Sequence, residues 1–133
     1  MEQQLLWMEK LEHEVSTVRW MIDYYDRAVG TVIISSIDFN NATGTMNIKL
    51  LPEYQGKGIA KKALMMACDR AFDQLNLFCL TANILPYNNA SYMLFQKVGF
   101  RREGVLRSRV VKNGERHDLI TLSLLKTERP CGG

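Results

Sequence analysis

Gln55-Gly56-Lys57-Gly58-Ile59-Ala60 is the stretch on which the reading of this chain turns. Ahead of it, Met46-Asn47-Ile48-Lys49-Leu50 alternates apolar and polar residues, as a half-buried strand does. Behind it, Ile59 to Leu75 carries apolar side chains at helical spacing. Two glycines in the junction remove the Cβ atoms that would obstruct a tight turn, so several peptide N–H groups can converge on one point. The helix that opens there adds unpaired N–H groups and the positive end of its dipole. Such a junction binds a phosphate or pyrophosphate. Lys57 and Lys61 add positive charge beside it, although solvation alone also accounts for both.

The kind of phosphate site is reached by elimination. A Walker loop needs a glycine five residues after Gly56, directly before Lys-Ser or Lys-Thr, and Lys61-Lys62-Ala63 stands there instead. A dinucleotide fingerprint needs a third glycine at position 61. The first strand of a doubly wound parallel sheet also reads as continuously apolar, unlike the alternating Met46 to Leu50.

Elsewhere the pattern predicts an amphipathic helix over Gln3–Glu14 from Leu5, Met8, Leu11 and Val15. Strands are predicted over Val18–Tyr25, Ala28–Ile37 and Gly44–Leu51, separated by Asp26-Arg27 and Asn40-Asn41-Ala42-Thr43-Gly44. The helix from Ile59 sets Ala60, Ala63, Leu64, Ala67, Ala71 and Leu75 on one face. A strand comes next over Phe78–Ile84, then a helix opened by Asn88 as N-cap and closed at Gly99. Val105–Val111 and Glu115–Leu125 form a final hairpin around Asn113-Gly114, the pair a type I′ turn prefers. The fold class expected is α+β, a mixed and mainly antiparallel sheet flanked by helices, in one domain over residues 1–133, with 127–133 a frayed tail.

Composition bounds the rest. A hydrophobic fraction of 47%, a charged fraction of 23% and a net charge of +3 are ordinary for a globular domain; the charge is too small to argue for nucleic acid yet suits a polyanionic ligand. Cys68, Cys79 and Cys131 make an odd set without paired spacing; the first two read as buried reduced thiols. No apolar run approaches the ~20 residues of a membrane span, and no signal-peptide layout opens the chain. A cytoplasmic location without membrane partners is the expectation. His13 and His117 are the only histidines, and without a Cys pair they give no metal site. His117 reads as a structural or exposed strand residue. Arg101, Arg102, Arg107, Arg109 and Lys112 read as a solvated basic face, with an acidic partner or RNA as the lesser reading.

Gln55, Gly58 and Ala60 fit the signature Gln/Arg-x-x-Gly-x-Gly/Ala, which resembles the pyrophosphate loop of the GNAT superfamily of N-acetyltransferases. Asn88 through Gly99-Phe100 resembles that family's second landmark, an Asn opening a short helix that ends in Gly-Phe. Leu75-Asn76-Leu77, then Glu103-Gly104-Val105-Leu106 and Asn113-Gly114, fall at the family's usual places. The likeness covers roughly Gln3 to Lys126 and is nearest to the branch with spermidine, ribosomal-protein and amino-sugar N-acetyltransferases.

The resemblance implies an acetyl-CoA-dependent N-acetyltransferase acting on a primary amine. The resembling branch takes polyamines, amino sugars and protein N-termini, and because nothing in the sequence suggests a peptide groove, a small molecule is the expected acceptor. It implies that the main chain of Ile48, Lys49 and Leu50 holds the pantetheine arm, with the Leu50 N–H at the oxyanion. It further implies that Gln55, Gly56, Lys57, Gly58, Ile59, Ala60 and Lys61 carry the pyrophosphate, and that Asn88 and Phe95 border the arm. Two departures stand out. Thr45 replaces the family's Glu on the strand, and Phe95 replaces its proton-donating Tyr, leaving Tyr92, one turn earlier, as a weak catalytic candidate that otherwise reads as a core aromatic. The strand and helix that usually precede the region matching Gln3 are missing. An edge left open invites a second copy, so a homodimer or a truncated chain start is expected. The competing classes are a non-catalytic acyl-CoA-binding or assembly module, a protein N-terminal acetyltransferase, and a nucleic-acid-binding domain.

Overall fold

The computed structural model describes the backbone of residues 5–11 and all of residues 16–129. In chain order the elements are β1 (Leu5–Leu11), β2 (Val18–Tyr24), β3 (Arg27–Asp38), β4 (Thr43–Leu50), α1 (Ile59–Asp73), β5 (Cys79–Ile84), α2 (Asn89–Val98), β6 (Arg101–Lys112) and β7 (Glu115–Leu125). The strands form one sheet in the order β1-β2-β3-β4-β5-β7-β6. Every neighbouring pair is antiparallel except β4 and β5. A parallel pair needs a crossover, and α1 supplies it. This is the α+β architecture that the strand and helix patterns predict.

Alternation along each strand sends one set of side chains to the helices. Val18, Trp20 and Ile22 of β2, Val32 and Ile34 of β3, Leu80 and Ala82 of β5, and Leu122 and Leu124 of β7 are fully or almost fully buried. The strand registers place them on one face. From α1, Ala63, Leu64, Ala67, Cys68, Ala71 and Phe72 complete this core. The α1 stripe is turned from the one predicted: Ile59 is buried where Ala60 is half-exposed, and Cys68 and Phe72 join it. Burial pushes the Cys68 thiol up to about 12; Cys79 is half-buried rather than buried, and Cys131 lies outside the described residues.

One predicted element is overturned. Residues 5–11, read as part of a helix over Gln3–Glu14, are a strand paired in continuous register with β2, from Leu5 opposite Tyr24 to Leu11 opposite Val18. The remaining residues of that predicted helix, 3–4 and 12–14, lie outside the described residues. Short helices are marginal alone, whereas the outer edge of β2 carries N–H and C=O groups that a neighbouring strand satisfies. Tertiary pairing wins over a helical spacing that seven residues fit equally well.

Two boundaries also move. The strand predicted over Val105–Val111 begins at Arg101. Thr127 to Arg129, assigned to a frayed tail, are held: Lys126–Glu128 make a 3₁₀ turn, the Glu128 carboxylate accepts from the Leu125 N–H (3.2 Å) and pairs with Arg101 (3.1 Å), and Arg129 pairs with Asp69 (3.3 Å) and Asp73 (3.1 Å) of α1.

Candidate functional site

The site begins where β4 and β5 part. They pair only at Thr43–Cys79, Gly44–Leu80 and Thr45–Thr81, and beyond Thr45 they diverge. The other side of β4 decides which main-chain groups this exposes. The Leu51 N–H donates to Val29 C=O at 2.8 Å. That makes Leu51–Val29 a hydrogen-bonded pair, and in an antiparallel ladder such pairs alternate. Lys49–Thr31, Asn47–Ile33 and Thr45–Ser35 are therefore hydrogen-bonded to β3. The N–H and C=O groups of Ile48 and Leu50 point instead into the gap that β5 has left.

This separates three residues that the sequence grouped together. Ile48 and Leu50 present main chain to the gap; the main chain of Lys49 is consumed by β3, and only its exposed side chain remains. Gln55 has an internal task, because its Nε2 donates to the Leu50 C=O at 3.1 Å. The signature glutamine thus braces the end of β4 and leaves the Leu50 N–H as that residue's free main-chain group.

The gap opens into a cleft of about 420 Å³. Met46, Asn47 and Ile48 form one wall and Ala82, Asn83 and Ile84 the other. Alternation means that the cleft passes through the sheet: Met46, Ile48, Ala82 and Ile84 lie on the helix-covered face, Asn47 and Asn83 on the opposite one. On the helix side α2 closes it with Asn88, Ser91 and Phe95, spaced three and four residues apart and so on one face. The Asn88 carboxamide oxygen accepts from the Ser91 N–H at 3.2 Å, the N-cap that the sequence predicts. Phe95 is 3% exposed and meets Phe100 edge-on, centroids 5.0 Å apart. Gly99 makes that contact by capping α2 at φ 118°, a left-handed conformation glycine adopts freely. Tyr92, by contrast, is absent from the cleft lining, packs against the core, and its hydroxyl accepts from Gln96 Nε2 at 3.4 Å.

On the far side, sequence reasoning missed a wall. Val110, Val111 and Lys112 of β6 and Leu119 of β7 line the cleft because β6 bulges between Leu106 and Val110. Ser108 takes φ 50° there; its N–H donates to Asp118 Oδ1 at 2.7 Å, and its C=O accepts from Arg116 Nη1 at 3.1 Å. Bulges bend a strand and re-aim the side chains beyond them. Nothing in Arg107-Ser108-Arg109 marks two extra residues; only the pairing with β7, where Asp118 alone stands opposite the three, does. Asn83 was missed too. Its carboxamide oxygen accepts from the Thr121 hydroxyl at 2.9 Å across the β5–β7 pair. His117 meets the Tyr87 ring edge-on at 5.8 Å.

The glycine loop lies outside the cleft lining. Gly56 (φ 77°) and Gly58 (φ 79°) are both left-handed, and Gly58 is the N-cap of α1 with no side-chain cap. A Cβ on either would meet nothing within 4 Å. The first-turn N–H groups of α1 accordingly open on unobstructed space with the helix dipole behind them. The buried Ile59 side chain anchors the turn, and Lys57 Nζ stands 5.8 Å from the Tyr54 ring centroid. Among the described residues no cluster of three or more His, Cys, Asp or Glu is placed to hold a metal, and no helix is long and apolar enough to cross a membrane.

Known proteins share this fold. The model of the acetyltransferase (GNAT) domain matches residues 1–101. An N-acetyltransferase of Bacillus licheniformis named p20, described as uncharacterized, is 30% identical over 118 residues, 89% of this chain and 66% of its own length. Spermidine N(1)-acetyltransferase of Escherichia coli K12 is 29% identical over 118 residues, 89% of this chain and 63% of its own. The chain thus spans just under two thirds of the length of these curated relatives. Among solved structures, a chimera of Vibrio cholerae spermidine N-acetyltransferase SpeG with hSSAT superposes with TM-score 0.82 at 27% identity, covering 86% of this chain and 70% of that one. Mycobacterium smegmatis RimJ, solved with CoA-disulfide, gives TM-score 0.83 at 25% identity, covering 87% and 56%. A family match over some three quarters of the sequence, on a fold built around a split between β4 and β5, leaves one assignment: this chain belongs to the GNAT acetyltransferase domain family.

Proposed function

We propose that the chain is a single N-acetyltransferase domain that moves the acetyl group of acetyl-CoA to a primary amine on a small molecule. The observation that carries this reading is the parting of β4 and β5 beyond Thr45, with the Ile48 and Leu50 main chain turned into the gap and an uncapped, glycine-opened helix directly after it.

The residues present suit a CoA-shaped ligand. Gly56 and Gly58 leave open space where side chains would obstruct a diphosphate, and the N–H groups of Gly56 to Lys61 supply donors with helix-dipole support. Ile48 and Leu50 offer strand-like hydrogen bonds to an extended amide-bearing arm. Phe95, Ile48 and Met46 supply the apolar wall. Acetyl-CoA, when bound, supplies an activated acyl carbonyl and a thiolate leaving group. The Leu50 N–H is the donor suited to charge developing on a carbonyl oxygen, since it is held by the ladder on one side and by Gln55 on the other. The acceptor enters from the opposite face, past Asn47 and Asn83, and reaches the cleft without crossing the CoA side.

An alkylamine must be neutral to attack. At pH 7 this costs about 4–5 kcal/mol for a pKa near 10.4, from about 1.36 kcal/mol per unit. Thr45 and Phe95 offer neither a carboxylate nor a phenol, so solvent reached through the open face accepts that proton and returns one to the thiolate.

Thiol release from acetyl-CoA across a broad amine panel, alongside a CoA titration, tests the reading. Amine-dependent release is the expected result. Tight CoA binding with no release for any amine would favour the second reading, a non-catalytic acyl-CoA-binding module, which the hydroxyl-free Phe95 in the cleft supports.

A further inference from the structure

The hairpin that walls the acceptor side is electropositive. Between residues 107 and 118 it carries four cations, Arg107, Arg109, Lys112 and Arg116, and two carboxylates, Glu115 and Asp118. Asp118 is engaged at the Ser108 N–H, and Glu115 sits opposite Lys112 in register without lining the cleft. Lys112 is the one charged side chain among the described residues of the lining. The register pairs Val110 with His117 and Lys112 with Glu115, so Lys112 stands on the same sheet face as Leu119, the face through which Asn47 and Asn83 open. Lys49, exposed two residues beyond Asn47 on β4, adds a second cation to that face. Between these polar groups the walls on that face are apolar: Leu119 and Val110.

A cleft whose one charged lining side chain is a cation repels a polycation and attracts an anion, because a lining of one sign raises the local concentration of the opposite sign. We infer that the acceptor is an amine that also carries a carboxylate, on an apolar body, with Lys112 as the residue that selects the carboxylate. A free amino acid with an aliphatic side chain has this chemistry; a polyamine has the reverse. The inference rests on the acetyltransferase reading for its amine, yet it is testable by binding alone.

The experiment is calorimetric titration of the intact CoA-loaded protein with leucine, leucinamide and spermidine, at low and at physiological ionic strength. Leucine should bind about fivefold more tightly than leucinamide, which lacks the carboxylate, as one exposed ion pair allows. The preference should shrink with salt. Lys112→Glu should abolish or invert it while CoA affinity stays within about twofold. Equal binding of leucine and leucinamide, tighter binding of spermidine, or no binding by any of the three overturns the inference. A Lys112→Glu variant that loses CoA affinity also overturns it, since the lysine would then belong to the CoA side. Failure of the acetyltransferase reading appears separately, as retained ligand preference without thiol release.

Discussion

Gly58→Ala separates the strain of the glycine loop from its binding role. Gly58 is held at φ 79°, ψ 0° as the N-cap of α1. An L-residue in that conformation costs about 1–2 kcal/mol from the clash of its own Cβ with its own backbone. No other contribution to the folded state is expected, because the added Cβ meets nothing within 4 Å. The loss should therefore be near that figure, a fall in melting temperature of roughly 3–8 °C for a domain of this size. Binding should suffer more. The same Cβ projects into the open side of the loop, where a diphosphate takes charge-assisted N–H bonds worth about 1.5–3 kcal/mol each. Losing one weakens CoA binding about ten- to hundredfold. Thermal unfolding and calorimetric CoA titration measure the two effects. Gly58→Asn serves as the control, because asparagine tolerates the left-handed region better than alanine. It should recover part of the stability while leaving affinity weak. If Gly58→Ala unfolds as calculated but binds CoA within about twofold of the natural protein, the diphosphate does not lie on this loop.

Three further outcomes are expected. Phe95→Tyr should keep CoA affinity within about twofold and raise thiol release, since it puts a proton donor in the cleft wall; a loss of CoA binding would show that the ring's fit against Phe100, not its chemistry, governs the site. Cys68 should resist alkylation in the folded protein while the half-buried Cys79 reacts, because burial keeps the Cys68 thiol protonated up to about 12; peptide mapping after labelling decides it, and early modification of Cys68 would mean that α1 lifts from the sheet. Hydrogen bonds from the Asn41 N–H and side chain, with a lesser one from the Asn40 N–H, hold the Asp38 carboxyl below its usual 3.8. A depressed folded-state pKa gives stability that is complete above the unfolded value and is lost as pH falls through the folded one. Asp38→Asn should therefore flatten the acid limb of the stability curve below 3.8, and an unchanged limb would refute the assignment.

The sequence by itself determined those features whose physics is local. Gly56 and Gly58 announce a left-handed turn, Asn88 an N-cap, Asn113-Gly114 a hairpin turn, and the spacing from Ile59 a helix, because each rests on backbone sterics or on contacts within a few residues. Tertiary structure alone decided what depends on partners distant in the chain. It made residues 5–11 a strand, because the edge of β2 offers hydrogen bonds that a lone helix cannot match. It turned the main chain of Ile48 and Leu50, but not that of Lys49, into the gap, because ladder parity is set by β3. It put Lys112 on the cleft, because a bulge is visible only as a mismatch between two strands. The glycine loop was legible because a single segment makes it; the acceptor side was not, because four strands meet there and no one of them encodes the meeting.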